Sequence, residues 1–258
     1  MTIENVPAST PTDDFAVPAP GRTARWERWT LGFALVFPTF VTWLYFIALA
    51  ESPAAIQQTA YSLGKLAQFV LPVVWVLVVL HRRPKISASP TRGLFAGLLF
   101  GALIAGAMLG LYHMWLKPIG FFDAPGEGVR AKLSGIGVSS VLVYAVIGVF
   151  YSLAHSLLEE YYWRWFVFRR LTCHTSLAMA IGVSSLGFMA HHVLVLATYF
   201  GFWSFATWFF SLSIAVGGAV WAWLYYRSRS LLGPWLSHLL VDAAIFLIGY
   251  DLSREIFK

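Results

Sequence analysis

Charge is scarce in this chain. Asp, Glu, Lys and Arg together make up 12% of 258 residues, about half the share of an ordinary soluble domain. Cysteine is almost missing, and Cys173 alone excludes an internal disulfide framework and a multi-cysteine metal site. The helical zinc-protease pattern HExxH does not occur. No internal repeat is recognisable, which weighs against an inverted-repeat transporter. What fills the space is apolar: 59% of the residues are hydrophobic and 17% aromatic, with a mean hydropathy of +0.69. A soluble globule of this size cannot hide that much apolar surface, so lipid must be part of the solvent. The same composition rules out a disordered chain. The net charge of +6 does not point to nucleic acid, because the basic residues stand in short clusters between apolar runs, as membrane topology is written.

Residues 1–20 are polar and rich in Pro, Thr and Asp, and a disordered cytoplasmic tail is expected to about residue 28. Apolar runs follow at about 29–50, 61–80, 93–116, 136–158, 176–200, 203–226 and 231–250. Each is long enough to cross a hydrocarbon core of about 30 Å as a helix. Ala48-Leu49-Ala50 resembles a signal-peptide cleavage site, but the run's length and its distance from Met1 favour a retained span. The stretch Ala131–Leu171 exceeds one span, so it is either two helices or a span running into an interfacial segment. The expectation is an all-α, multi-pass bundle of seven to eight helices, with N-terminal transmembrane helices over 29–128 and a second unit over 129–252. Arg22/Arg25/Arg28, Arg82/Arg83/Lys85/Arg92, Arg169/Arg170 and Arg227/Arg229 fall at alternate span ends. The positive-inside rule then puts the N-terminus in the cytoplasm of a cell (inner) membrane protein. The 117–132 loop, with Lys117, Arg130 and Lys132 beside Asp123 and Glu127, fits this pattern least well.

Ionisable residues at membrane depth are expensive, at about 2.5–3.5 kcal/mol on insertion scales, and each is a functional-site hypothesis. Three clusters qualify. In Glu159-Glu160-Tyr161-Tyr162-Trp163-Arg164, Glu160 and Arg164 stand four apart with the acid N-terminal, the good orientation for a helical ion pair. Glu159, about 100° round the helix, is left without a cation and suits a general base. The competing reading has both acids and the arginine snorkelling at a span end. In Phe188-Met189-Ala190-His191-His192, the Phe188 ring can pack on His192 and fix it, although a lone apolar-face histidine is more often a hydrogen-bonded core residue. In His238-Leu239-Leu240-Val241-Asp242, spacing of four lets the carboxylate orient the imidazole, and a buried structural pair is the alternative.

Other positions weigh less. His155 lies four residues before Glu159 and shares its face or sits at the interface, while His81, His113 and His174 sit near span ends. Tyr161, Tyr162, Trp163 and Trp165 read first as an aromatic belt. Gly97, Gly101, Ala105 and Gly106 read as close-packing positions.

Together the clusters suit hydrolysis. Glu159 and His192 can deprotonate a water that attacks an amide carbonyl while His238 stabilises the oxyanion. Alternatively, imidazoles and a carboxylate hold a divalent metal such as zinc, with a glutamate as base. The metal-free route, needing no cofactor, is preferred.

EEYYWR matches EExxxR, FMAHH matches FxxxH and HLLVD matches HxxxN/D, in that order over roughly 130–250. The chain therefore resembles the CPBP (type II CAAX prenyl endopeptidase, or Abi) family of intramembrane proteases. The resemblance implies a CAAX-protease-like helical core with the site opening in the membrane near its cytoplasmic face. It implies Glu159 as the water-activating glutamate with Glu160 beside it, and Arg164 as the orienting arginine. His192 becomes the second catalytic residue, and His238 with Asp242 the oxyanion pair. Prenyl-processing members carry Asn where this chain has Asp242. An ionised carboxylate cannot donate to an oxyanion, so Asp242 holds His238 in its donating form instead.

The expected partners are a membrane-associated peptide or protein substrate and the lipid bilayer, with no nucleic acid. Two other functions compete: a non-catalytic scaffold or bacteriocin-immunity-type protein, and a proton-coupled transporter with Glu159, His192 and His238 as relay groups.

Overall fold

The structure, a computed structural model, describes residues 22–81 and 91–257. The tail expected over 1–20 and the basic residues Arg82, Arg83 and Lys85 lie outside the described residues. Among those described, the fold is all α.

Helix α1 (Arg22–Trp43), α2 (Ala54–Val74) and α3 (Leu94–Leu111) each run on into a π turn, at Leu44–Ala48, Trp75–Val79 and Tyr112–Leu116. The short α4 (Asp123–Gly135) follows, then the 31-residue α5 (Val141–Leu171). Helices α6 (Leu177–Phe200), α7 (Phe205–Ser228) and α8 (Leu232–Ser253) complete the bundle, and a 3₁₀ turn at Arg254–Phe257 ends it. Seven of these helices are long and apolar enough to cross a membrane; α4 is the exception.

Local chemistry sets the ends. Ser140, Ser176 and Ser204 each precede a helix, and each side-chain oxygen accepts a hydrogen bond from the amide three residues on. Outward-facing apolar residues such as Phe95, Leu142 and Val146 form the lipid-facing surface. Inside, Trp163, Phe166, Phe188, Trp221 and Tyr225 make the central apolar cluster.

Two boundaries differ from expectation. The excess length of 131–171 resolves into α4 ending at Gly135 and then α5 as one rod of about 46 Å. Helix α1 begins at Arg22, inside the stretch expected as tail. A buried tertiary contact holds its first turns: the Glu27 carboxylate pairs with the Arg170 guanidinium and lies 3.5 Å from His174 Nε2. Composition near a terminus does not reveal a partner 143 residues away.

That contact also puts the start of α1 and the end of α5 at one end of the bundle. Gly93 lies against Ser228 there, so the start of α3 joins the end of α7. Arg25, Arg28, Arg92, Arg169, Arg170, Arg227 and Arg229 therefore gather at the same end.

The closest helix approach is α3 against α8. A Cβ on Gly97 would sit 2.2 Å from the Gly233 carbonyl oxygen, and one on Gly101 would sit 2.7 Å from Ser237 Cα. Gly106 instead faces open space, so only part of the small-residue stripe is an interface. Gly97→Ala is expected to lose about 2 kcal/mol by overpacking against backbone, and Gly106→Ala to gain slightly from helix propensity. Thermal unfolding of the two variants in one detergent checks the contrast.

Candidate active site

The site is built on the middle of α5, where the helix changes pitch twice. A π turn at Tyr151–His155 precedes the α-helical Ser156–Glu160, and a second π segment, Tyr161–Phe168, follows. Such widened turns are rare and concentrate at functional sites, because each accommodates an extra residue and re-aims the side chains beyond it. Glu159 and Glu160 sit between them, and both are buried.

Glu160 anchors the first half of the site. Its Oε1 lies 3.1 Å from Arg164 Nη1 and accepts a 2.8 Å hydrogen bond from His238 Nδ1. Arg164 is only 2% exposed. It also donates from Nη2 to the Gly218 carbonyl at 3.4 Å, and its guanidinium lies 4.6 Å from the Phe188 ring centre and 5.1 Å from that of Trp221. A planar, always charged fork is the side chain that can satisfy a carboxylate and a carbonyl while lying on aromatic faces. The imidazole of His238 stacks on Trp221 at 4.3 Å between centres, and Trp221 Nε1 in turn donates to Ser237 Oγ. His238 Nε2, the other ring nitrogen, faces Asp242 Oδ1 at 3.5 Å and Glu159 Oε2 at 3.9 Å.

Glu159 forms the second half and is held differently. Four nitrogens surround its carboxylate at 3.5–3.9 Å: His191 Nε2, Lys65 Nζ, His155 Nε2 and His238 Nε2. Those distances exceed a direct hydrogen bond, so the acid is electrostatically compensated while its lone pairs remain open to a small molecule. His192 is fixed from behind. Its Nδ1 donates to the Phe188 carbonyl at 2.9 Å, and the Phe188 ring packs on it at 4.8 Å. A carbonyl only accepts, so Nδ1 carries the proton and Nε2 keeps its lone pair for the site.

The structure thus brings Glu159, Glu160, Arg164, His192, His238 and Asp242 into one neighbourhood, from α5, α6 and α8. One expectation is corrected: Glu159 is not without a cation, since Lys65 of α2 stands 3.7 Å away. Sequence reasoning passed over Lys65 although a lysine inside an apolar run carries the same signal as the other intramembrane charges. It also fixed on His192 over His191. The adjacent His191 is the one nearest Glu159, with its ring stacked parallel to Trp163 at 6.0 Å.

Ligand atoms of Glu159, His191 and His192 all lie within 4.8 Å of one another, so these three residues could hold a divalent ion. Against that, a half-buried ammonium 3.7 Å from one prospective ligand repels a second cation.

With this geometry in hand, residues 140–244 match the family described as Type II CAAX prenyl endopeptidase Rce1-like. The matched segment covers less than half of the chain and supports the resemblance to the CPBP family. It contains all six sequence-predicted residues, whereas Lys65 comes from outside it. No curated protein and no solved structure matches the chain. Among the described residues the all-helical bundle is consistent with a CAAX-protease-like fold, and its seven membrane-capable helices make the chain a multi-pass membrane protein.

Proposed function

We propose that the protein is an intramembrane endopeptidase that hydrolyses a peptide bond of a membrane-associated protein or peptide with a Glu159-activated water. The observation that carries this is the Glu159 carboxylate: buried, ringed by nitrogens and left unbonded beside the free Nε2 of His192. A water between them gives a proton to Glu159 as its oxygen attacks the scissile carbonyl. His238 then donates from Nε2 to the developing oxyanion while Nδ1 stays on Glu160. Donation from both nitrogens needs the imidazolium form, which Glu160, Asp242 and Glu159 neutralise around it. Collapse breaks the C–N bond, and Glu159 returns its proton to the departing amine. Arg164 orients Glu160, and Asp242 orients His238.

The metal-free route is the reading the Lys65 charge favours. If a divalent ion is held, Glu159, His191 and His192 hold it, and it would supply Lewis acidity and a more acidic bound water. Dialysis against a chelator is expected to leave turnover within about twofold, whereas loss of a catalytic metal would cost several orders of magnitude. Metal content by mass spectrometry, read on the same samples, checks that the ion was removed.

The end where the arginines gather faces the cytoplasm, with the N-terminus on that side of the cell (inner) membrane. The test of function is peptidomics of membrane and secreted fractions in the native host, comparing wild type with Glu159→Gln. New termini that vanish in the variant support proteolysis and name the substrate. Identical profiles with both proteins well expressed favour the scaffold.

A further inference from the structure

A largely apolar cavity of about 250 Å³, with a few polar groups in its wall, lies at the bundle end opposite the arginine cluster. The π turn of α1 lines it with Tyr45 and Phe46, α2 with Gln57, α4 with Lys132, and the end of α6 with Thr198 and Tyr199. Its cation is unusually prepared. Lys132 Nζ sits 4.1 Å from the Tyr45 ring centre and 5.5 Å from that of Phe46. It donates to Gln57 Oε1 at 3.3 Å. Gln57 is itself buried and locked, because its amide nitrogen donates to the carbonyls of Ala50 and Ser52 at 2.8 and 3.1 Å. No carboxylate among the described residues lies within 4 Å of Lys132 Nζ. The ammonium is thus aimed and partly dehydrated, and among the described residues no carboxylate is paired with it.

A chain of side-chain contacts links the cavity to Glu159. Tyr45 packs on Tyr61 at 4.8 Å between ring centres, Lys65 Nζ lies 5.7 Å from the far ring, and Lys65 reaches Glu159 at 3.7 Å. On the opposite wall, Thr198 and Tyr199 follow His191 and His192 by seven residues, about 10 Å along α6. An extended peptide covers that distance in about three residues. Two cations, Lys132 and Lys65, flank the Tyr45–Tyr61 ring pair, a surface suited to an apolar strand that ends in, or carries, a negative group.

We infer that this cavity is a substrate subsite for a carboxylate, recognised by Lys132, on the peptide about 10 Å from the attacked carbonyl. The inference rests on the endopeptidase reading above. An interfacial lysine could instead meet a lipid phosphate, but the locked Gln57 and the chain of contacts to Glu159 favour the peptide.

The probe is an equimolar library of apolar dodecapeptides in which one position at a time is Asp or its neutral counterpart Asn, presented to the protein in zwitterionic nanodiscs. Wild type is expected to cleave peptides with Asp two to four positions from the cut about tenfold better than the Asn partners, the worth of one desolvated ion pair. In Lys132→Met that Asp/Asn ratio falls to about one, and in Lys132→Arg it stays above about five. The same library bound to Glu159→Gln protein reads the subsite without chemistry. Charge-dependent binding without cleavage by wild type would overturn the endopeptidase reading and keep the subsite. Cleavage with a ratio unmoved by Lys132→Met would overturn the subsite and keep the endopeptidase. Loss of the ratio when phosphatidylglycerol is added to the discs would assign the cavity to a lipid phosphate and overturn it as well.

Discussion

Glu159→Gln is expected to lower peptide cleavage by about 10³-fold, the middle of the range for general-base removal. The amide is isosteric and can still accept hydrogen bonds, but it cannot take a proton from water. It also removes the negative charge that faces Lys65 at 3.7 Å and His191 at 3.5 Å. Leaving a half-buried ammonium with a weakened partner costs stability, of order 1–3 kcal/mol for an imperfectly satisfied charge. A loss of that size lowers the unfolding temperature without preventing assembly, so size-exclusion profiles of the purified variant should match wild type. The measurement is single-substrate turnover with any peptide identified in the host comparison. Residual activity above about a tenth of wild type would remove Glu159 from the role of base, since proton transfer cannot be worth so little there. Lys65→Met complements it: a weaker but measurable loss would show that the lysine compensates the acid without being the acid's reason for existence.

Arg164→Ala should have the second largest effect. The guanidinium is buried, pairs with Glu160 at 3.1 Å and bridges to the Gly218 carbonyl of α7. Its removal strands Glu160 in an apolar interior with only His238 as partner, and breaking one side of a buried pair typically costs about 3–5 kcal/mol. Turnover is expected to fall further, by about 10²-fold beyond what the loss of folded protein explains, because Glu160 sets the direction of the His238 ring and misplaced electrophiles lose such factors. Arg164→Lys separates the two contributions. Lysine keeps the charge but cannot satisfy Glu160 and Gly218 together while lying across Phe188 and Trp221. The folded fraction of Arg164→Lys should therefore recover while kcat stays about tenfold or more below wild type, with KM little changed. Equal recovery of both would make the arginine purely structural.

What could be read without a structure follows from the periodicity of a helix. Residues four apart share a face, so the Glu160–Arg164 and His238–Asp242 pairs and the Phe188–His192 packing were visible as spacing alone, and the structure sets each pair in contact. The seven spans were equally legible, because hydrocarbon thickness converts directly into a run length. The continuous α5 and its two π segments were not, since a change of pitch leaves no compositional mark.

Everything that joins one helix to another depended on packing. Lys65 reaches Glu159 from α2, His191 lies closer to it than His192, and Gly97 touches α8 while Gly106 faces open space. Adjacent histidines point about 100° apart, and only the position of α5 decides which of them meets the glutamate. The sequence determined which chemical groups enter the membrane and how they are spaced along each helix, because lipid penalises every charge and a helix has one period. The tertiary structure alone decided which groups meet, because the relative rotation and depth of neighbouring helices are set by side-chain fit between residues far apart in the chain.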